Sequence, residues 1–518
     1  MFYICSMSDL HVIWFRRDLR VHDHAALVAA CASGGQVLPL YIFDTRHWHR
    51  PDTSGRQFDF LLESLADLDD ALRKRGSKLC LRSGNAAEVL SQIHTQYGIA
   101  SLHFHAASHD PEETERVQHV RSWAMKAGIP LREQAIRRAM PLTPEESETA
   151  FRHYMRQPRL NAPENLDTPD MVSEDWPVAS DYGLGDDACA GRQTGGRTNG
   201  VLQLRQYLSG RGRPASKRNL SVTDRESSAS GLSPYLNWGT LSDREVWQAA
   251  MRAKGALLSD GDETFAASLD AFVENLEQRS RLLTAKPRRE QVENAGLPHD
   301  IFKREMVGAA DPRLAAWASG RTGFPLLDAS MRCLQATGRL ESELRSLLLS
   351  FATCHLWLDP TAPAQHLARL STDFDGALFY GNARKVVGVS SHPVGQIPNP
   401  VRHSQMRDPE GTFIRKWIPE IADLPDALIH SPWDAPKSLL AEKGIVLGQS
   451  YPMRMVDHMA AARAARRHLF PEQSSHALPF GVPARPNMAR RAGMSKSGRV
   501  HALPAKSVQL SFDLGGHA

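Results

Sequence analysis

His11-Val12-Ile13-Trp14-Phe15, followed at once by Arg16-Arg17-Asp18-Leu19-Arg20, decides how the first third of the chain is read. A short run rich in β-branched and aromatic residues, closed off by charge, is a buried strand. Val37–Phe43, Leu79–Arg82 and Ser101–His105 repeat the pattern. Between them lie helical stretches. Ala25–Cys31 is alanine-rich, and Ala86–Tyr97 is a third candidate. Phe58–Arg75 places Phe58, Leu61, Leu62, Leu65, Leu68 and Leu72 on one face. Strands alternating with helices predict a parallel sheet covered on both faces. The expectation is therefore an α/β Rossmann-like domain over residues 10–135. No G-x-G-x-x-G follows the first strand, so the turn that cradles a dinucleotide phosphate is missing. A cofactor must be held elsewhere.

Outward from this region the character changes. Residues 140–200 are rich in Pro, Gly, Asp and Thr, which predicts an inter-domain linker over 136–200 with little regular structure. From 201 to 471 helical periodicity dominates, as in Phe265–Leu283, Pro325–Thr337 and Leu344–Leu358, and an all-α domain is expected. After 472 the chain is rich in Pro, Arg and Ser and reads as a basic disordered tail. Two domains suit 518 residues. Composition is globular, with 42% hydrophobic and 23% charged residues.

No apolar stretch is long enough to span a bilayer. The segment Met1–Met7 lacks the basic start of a signal peptide, so a cytoplasmic location is expected. The six cysteines, at 5, 31, 80, 189, 333 and 354, form no C-x-x-C pair. Reduced thiols are expected, with neither a zinc ribbon nor a disulfide framework. A net charge of +4 does not by itself announce a nucleic-acid partner. Its distribution is uneven. Glu145, Glu146, Glu148, Asp186 and Asp187 make 141–190 acidic, while Arg485, Arg490, Arg491, Lys496 and Arg499 make the tail basic.

Three motifs stand out. In Ser230-Gly231-Leu232-Ser233-Pro234-Tyr235-Leu236-Asn237-Trp238-Gly239-Thr240-Leu241-Ser242, Ser233 before Pro234 reads as an N-cap with proline at the first helical position. Hydroxyls and free N–H groups at a helix start suit a pyrophosphate, although read alone this is an ordinary capped helix. Gly320–Arg332 opens a helical run that continues through Gly338 to Arg345 and Leu358. In Ser371-Thr372-Asp373-Phe374-Asp375-Gly376, two carboxylates flank an aromatic. An arginine buried beside one of them stabilises a negatively charged ring system; on spacing alone, these are solvated loop acids.

Together, and in this order, the segments resemble the photolyase/cryptochrome superfamily. His11–Asp23, Tyr41-Ile42-Phe43, Gly320–Arg332, Asp408–Glu420 and Tyr451–His458 carry the likeness, which covers residues 10 to 470. The resemblance implies an α/β domain able to hold a folate- or flavin-type antenna chromophore, and a helical domain that binds FAD. By position, Ser230, Leu232 and Ser233 would touch the FAD phosphates. Ala229 stands where the family has threonine. Arg345 would lie over the isoalloxazine and pair with Asp373, with Asp375, Arg279 and Ser342 nearby. Tyr380, or Phe379 beside it, takes the position facing flavin N5. In repair members, reduced FAD absorbs blue light and passes an electron to a pyrimidine dimer flipped out of DNA.

The chain departs from that pattern at the lesion-contacting positions. Asn275 stands for a glutamate, Gln278 for a stacking aromatic and Lys385 for a stacking tryptophan. Amides and an ammonium offer hydrogen bonds but no large apolar face. Of the family's three relay tryptophans, Trp317 matches the outermost; Pro360 and Ala383 replace the others. Phe351, Trp357, Phe374, Phe379 and Tyr380 are candidates for another route, and His355, His392 and His403 for a lesion-side histidine. The iron–sulfur cysteines are absent, which marks a divergent branch.

Two readings stay open: a photolyase-type lyase acting on ultraviolet-damaged DNA, and a blue-light photoreceptor without repair activity. Arg211, Arg213, Lys217 and Arg218, with Arg281, Lys286, Arg288 and Arg289, are a candidate phosphate-binding surface. Gln509-Leu510-Ser511-Phe512-Asp513-Leu514 resembles the short peptides that dock on bacterial sliding clamps. A monomer is expected.

Overall fold

The computed structural model describes residues 9–106, 110–134, 144–185, 187, 189–213, 221–284, 311–386 and 397–469. Strands β1 (Leu10–Phe15), β2 (Gln36–Phe43), β3 (Cys80–Ser83), β4 (Ser101–His105) and β5 (Leu131–Gln134) form one parallel sheet in the order β3-β2-β1-β4-β5. The two-residue period of a strand sorts its side chains between two cores. Ile13, Phe15, Tyr41 and Phe43 pack with Leu27, Phe58 and Leu65 from helices Ala25–Ala32 and Gly55–Arg73. Val12, Trp14, Leu40 and Ile42 face Leu90, Ile93 and Val120 from helices Ala86–Tyr97 and Pro111–Ala127. Both faces are covered, which is why β1 and β2 read as continuous apolar runs.

The first of these cores does not stop at the domain edge. Tyr235, Trp238, Leu241, Trp247 and Phe265 of the helical half belong to it. Polar contacts secure the same junction. Leu19 N–H donates to Trp238 O at 3.1 Å, and Arg20 Nη1 to Gly239 O at 2.8 Å. Asp23 accepts from Ser242 Oγ at 2.6 Å and from Arg244 Nε at 3.1 Å. Gly239 has φ +64, and a Cβ there would lie 2.2 Å from Arg17 O, so the approach of the two halves requires glycine. Beneath the junction Asp18 accepts from His24 Nε2 at 3.0 Å and from His105 Nδ1 at 2.6 Å. His24 Nδ1 accepts from Leu27 N–H, so its other nitrogen carries the proton given to Asp18. That proton occupies the position a metal would need.

The helical half has its own core, built from Trp317, Phe324, Leu344, Leu348, Phe413 and Tyr451 among others. Among the described residues, no helix is long and apolar enough to cross a membrane. Cys31, Cys80, Cys189, Cys333 and Cys354 carry free thiols.

Several expectations need correction. The linker contains helix Pro144–Arg156, whose Phe151 and Met155 enter the first core, and the start of helix Arg197–Gln206. Ser233 does not cap a helix; it is the first residue of the short helix Ser233–Asn237, and Leu232 precedes it as the cap. The run from Gly320 to Leu358 breaks at Gly338 (φ +66), separating helix Pro325–Thr337 from helix Ser342–Ser350.

Candidate functional site

Arg345 sits one turn into helix Ser342–Ser350, and Asp373 lies in the loop before helix Gly376–Val386. They meet as a bidentate pair, Nη1 to Oδ1 at 2.9 Å and Nη2 to Oδ2 at 3.0 Å. Arg345 Nε donates to Leu340 O at 2.8 Å. Both residues are buried. Breaking such a pair by removing one partner costs about 3–5 kcal/mol.

A hydrogen-bonded chain leads on from this pair. Asn237 Nδ2 donates to Asp373 O at 2.5 Å, and Arg279 Nη2 donates to Asn237 Oδ1 at 2.6 Å. Arg279 Nη1 is buried and has no hydrogen-bond partner among the described residues. Burial pulls this guanidinium down to about 10, and Arg17 adds to the effect; Asp375 and Asp373 oppose it. Asp375 is buried, accepts from Leu378 N–H at 3.1 Å, and lies 3.7 Å from Arg17 Nη1. Arg17 comes from the loop after β1 and also lies over the Trp238 ring, 4.9 Å from its centroid. Burial works against its charge, but Asp375, Glu113 and Asp110 outweigh that and raise its pKa. Arg17, Asn237, Arg279 and Asp375 line one cleft between the two halves.

The second part of the cradle surrounds Gly231. Ser230, Leu232 and Ser233 are buried. Gly231 has φ +65, and a Cβ there would come within 2.5 Å of the Gln203 amide, 3.2 Å of Gln193 Nε2 and 3.3 Å of Arg339 Nη2. Arg211 Nη2 donates to Ser230 O at 3.1 Å, and Gln193 Nε2 to Gly231 O at 2.9 Å. Arg211, Gln193 and Arg339 thus bring guanidinium and amide groups around a glycine turn, with the Gln203 oxygen accepting from Arg211, chemistry that suits a pyrophosphate. With the buried Arg279 Nη1 still unpartnered among the described residues, the groups fit an anionic ring system joined to a pyrophosphate, which is the chemistry of FAD.

Ser342 is the first residue of the Arg345 helix and is buried. Asn275, Gln278 and Arg279 share one face of helix Glu263–Thr284, which packs against helix Gly376–Val386, the carrier of Lys385. Asn275, Gln278 and Lys385 are all half-buried. Gln278 Oε1 has no hydrogen-bond partner among the described residues, and burial lowers the Lys385 pKa. Tyr380 donates its hydroxyl to Asp52 Oδ2 of the first domain at 2.8 Å, a tie between the halves. Its neighbour Phe379 is a buried core ring.

Trp317 is not an outermost relay residue. It is 0% exposed and gives its indole N–H to Leu348 O at 3.1 Å, so it has no face to solvent. The other aromatic candidates fall into separate groups. Phe374, Phe379 and Tyr380 contact one another, Phe351 stacks on His355 at 5.0 Å, and Trp357 meets His468. By hydrogen-bond geometry neither ring nitrogen of His355 has a partner among the described residues, and burial, aided by His458, lowers its pKa to about 4. His403 is paired with Glu343 at 2.8 Å. Arg213 is paired with Asp262 at 2.5 Å, and Arg281 with Glu277 and Glu148. His392, Lys217, Arg218, Lys286, Arg288, Arg289 and Gln509–Leu514 lie outside the described residues. Sequence reasoning missed Arg17 and Asn237 as site residues, although both sit inside segments quoted above.

The arrangement defines a class: a two-domain flavoprotein whose cradle lies in the helical half and receives one arginine from the α/β half. Comparison with known proteins places it more narrowly. Residues 11–153 match the family described as DNA photolyase, and residues 272–470 the FAD binding domain of DNA photolyase. The chain is 30% identical over 474 residues to the deoxyribodipyrimidine photo-lyase of Streptomyces griseus, covering 88% of this chain and 97% of that one. It is 29% identical over 482 residues to a DASH cryptochrome of Gloeobacter violaceus, covering 88% and 94%. A Synechocystis cryptochrome superposes with a TM-score of 0.77 at 25% identity, over 88% of this chain and 98% of that one. A class III photolyase of Agrobacterium tumefaciens shares the fold, with a TM-score of 0.73 at 24% identity over 90% and 98%. The chain belongs to the photolyase/cryptochrome superfamily, and FAD is the cofactor of its helical domain.

Proposed function

We propose that the protein is a light-driven lyase acting on pyrimidine dimers in ultraviolet-damaged DNA. Relatives at 30% and 28% identity are deoxyribodipyrimidine photo-lyases. The observation that carries the reading is the pair of facing helices beside Arg279. They present Asn275, the unpartnered Gln278 Oε1 and the desolvated Lys385. Half-buried polar groups of this kind recognise the polar edge of a flipped base rather than its face. Bound in its reduced form, FAD would supply under blue light an electron that splits the dimer and then returns to the flavin. Arg345, Asp373 and Arg279 hold the flavin ring, with Asp375, Ser342 and Tyr380 around it, and Ser230, Leu232 and Ser233 take the phosphates. Asn275 and Gln278 orient the lesion, and Lys385 places a cation beside it.

A cryptochrome-type photoreceptor is the second reading. It is favoured by the carboxylate partners of Arg213 and Arg281, which use up cations that would otherwise meet DNA phosphates. The deciding experiment uses FAD-loaded protein and an oligonucleotide with one thymine dimer, under blue light and in the dark. Light-dependent loss of the dimer supports the lyase. A flavin photocycle with the dimer intact supports the photoreceptor. A monomer in the cytoplasm, a folate- or flavin-type antenna in the α/β domain and a clamp contact through Gln509–Leu514 complete the proposal. Removing residues 505–518 should abolish clamp binding.

A further inference from the structure

Helix Pro144–Arg156, which composition assigned to the linker, places Glu148, Phe151, Arg152 and Met155 at i, i+3, i+4 and i+7, on one face. Phe151 and Met155 anchor that face in the first core. Gln248 of helix Asp243–Ser259 fixes its far end, donating to Met155 O at 2.9 Å and to Gln157 O at 2.8 Å. Glu148 and Arg152 are thereby carried to helix Glu263–Thr284, against which this helix packs.

Four charges meet there. Arg281 pairs with Glu277, one turn before it on its own helix, and with Glu148 across the junction at 3.5 Å. Arg152 pairs with Glu148 at 2.7 Å and lies 3.9 Å from Glu277. The two carboxylates are not equivalent. The Glu277 side chain is 6% exposed, that of Glu148 40%. Burial raises the Glu277 pKa and Glu148 adds to the rise, against Arg281 and Arg152. Glu148 is thus a second carboxylate on a guanidinium that already has one, and the first repels it. A half-exposed ion pair of this kind is weak and exchanges readily. With Glu148 turned away, Arg281, Arg152 and Glu277 together carry one net positive charge, which a single phosphodiester neutralises.

We propose that this junction is a docking surface for the backbone of duplex DNA, closed in the free protein by its own carboxylate: Glu148 holds the place on Arg281 and Arg152 that a DNA phosphate takes in the complex. Arg281 lies six residues beyond Asn275 on the same helix, about 9 Å along its axis, so both fall within the footprint of one duplex. The phosphate contact sets the position of the strand and leaves the choice of base to other residues. The inference rests on the DNA-directed reading for its partner, but not on the photochemistry.

The test is fluorescence anisotropy of a labelled duplex, with and without one thymine dimer, titrated with FAD-loaded full-length protein at several salt concentrations. Retained FAD absorbance shows that each variant is folded. Glu148→Gln should bind both duplexes roughly three- to tenfold more tightly than the parent at low salt. Its slope of log affinity against log salt should steepen by about 0.9, the mark of one further phosphate neutralised. In an Arg152→Gln/Arg281→Gln background the same substitution should change affinity by less than about twofold. Glu88→Gln controls for net charge and should match the parent, since helix Ala86–Tyr97 lies on the opposite face of the sheet from the core that holds Phe151. The proposal is overturned if Glu148→Gln binds as the parent does, if its gain survives loss of both arginines, or if Glu88→Gln gains as much. Absence of duplex binding in the parent and in Glu148→Gln alike also overturns it. An equal gain toward polyglutamate would assign the surface to an acidic protein and end the proposal. Dimer loss under blue light is scored in the same samples. A tighter-binding Glu148→Gln that leaves the dimer intact removes the lyase reading and upholds the surface.

Discussion

Replacing Asp373 by Asn removes one charge and keeps the shape. Arg345 is 4% exposed and makes two bonds to the Asp373 carboxylate, at 2.9 and 3.0 Å. Without that carboxylate the buried guanidinium loses its bidentate partner, at a cost of about 3–5 kcal/mol. One neutral hydrogen bond to the new amide returns about 1 kcal/mol. The net loss is about 3 kcal/mol, which for a helical half of this size lowers the melting temperature by roughly 6–12 °C. The assay is thermal melting of cofactor-free protein, followed by FAD titration through quenching of flavin fluorescence. Arg345→Met/Asp373→Leu is the companion. Two apolar side chains leave no stranded charge, so it should melt above Asp373→Asn, with a coupling of about 2 kcal/mol between the sites. The reasoning fails if Asp373→Asn melts within about 1 °C of the parent, or if the effects of Arg345→Met and Asp373→Leu simply add in the double variant.

Arg279→Met removes the unpartnered Nη1 but also the bond to Asn237 Oδ1, so the cofactor-free protein should lose about 1 kcal/mol in urea unfolding, while FAD affinity drops roughly 10- to 100-fold in a fluorescence titration. Tyr380→Phe deletes the bond to Asp52 and should cost about 1 kcal/mol in urea unfolding without moving the flavin spectrum. Gly239→Ala puts a methyl against Arg17 O at positive φ, and a loss of about 3 kcal/mol, or failure to yield soluble protein, is expected. His355 is neutral in the fold, with a pKa near 4, and titrates at about 6.5 once unfolded. Its folded pKa is the lower one, so its contribution is complete above pH 6.5 and is lost as pH falls from 6.5 to about 4, by about 3 kcal/mol. His355→Phe should flatten the urea midpoint against pH by close to one proton over that window.

The α/β half was legible because its signals are local. A strand buried on both faces has nowhere to hide its apolar run, and β1, β2, β3 and β4 lie within a residue or so of the segments read from pattern. β5 went unread because Leu131-Arg132-Glu133-Gln134 is a short polar edge strand, and its polarity mimics a loop. Helix Pro144–Arg156 went unread because its acids and its Pro- and Gly-rich surroundings outweighed the two apolar residues it buries, Phe151 and Met155. The pairing of Arg345 with Asp373 spans 28 positions and no periodicity encodes it; likeness to a family was the only pointer. The reading of Trp317 as a relay end used position alone, and position says nothing about solvent.

Arg17 leaves the first domain to stand beside Asp375 in the second. The countercharge of that carboxylate is thus on loan from a neighbour. A substitution that loosens the packed junction, such as Gly239→Ala, would therefore also draw that cation away from Asp375.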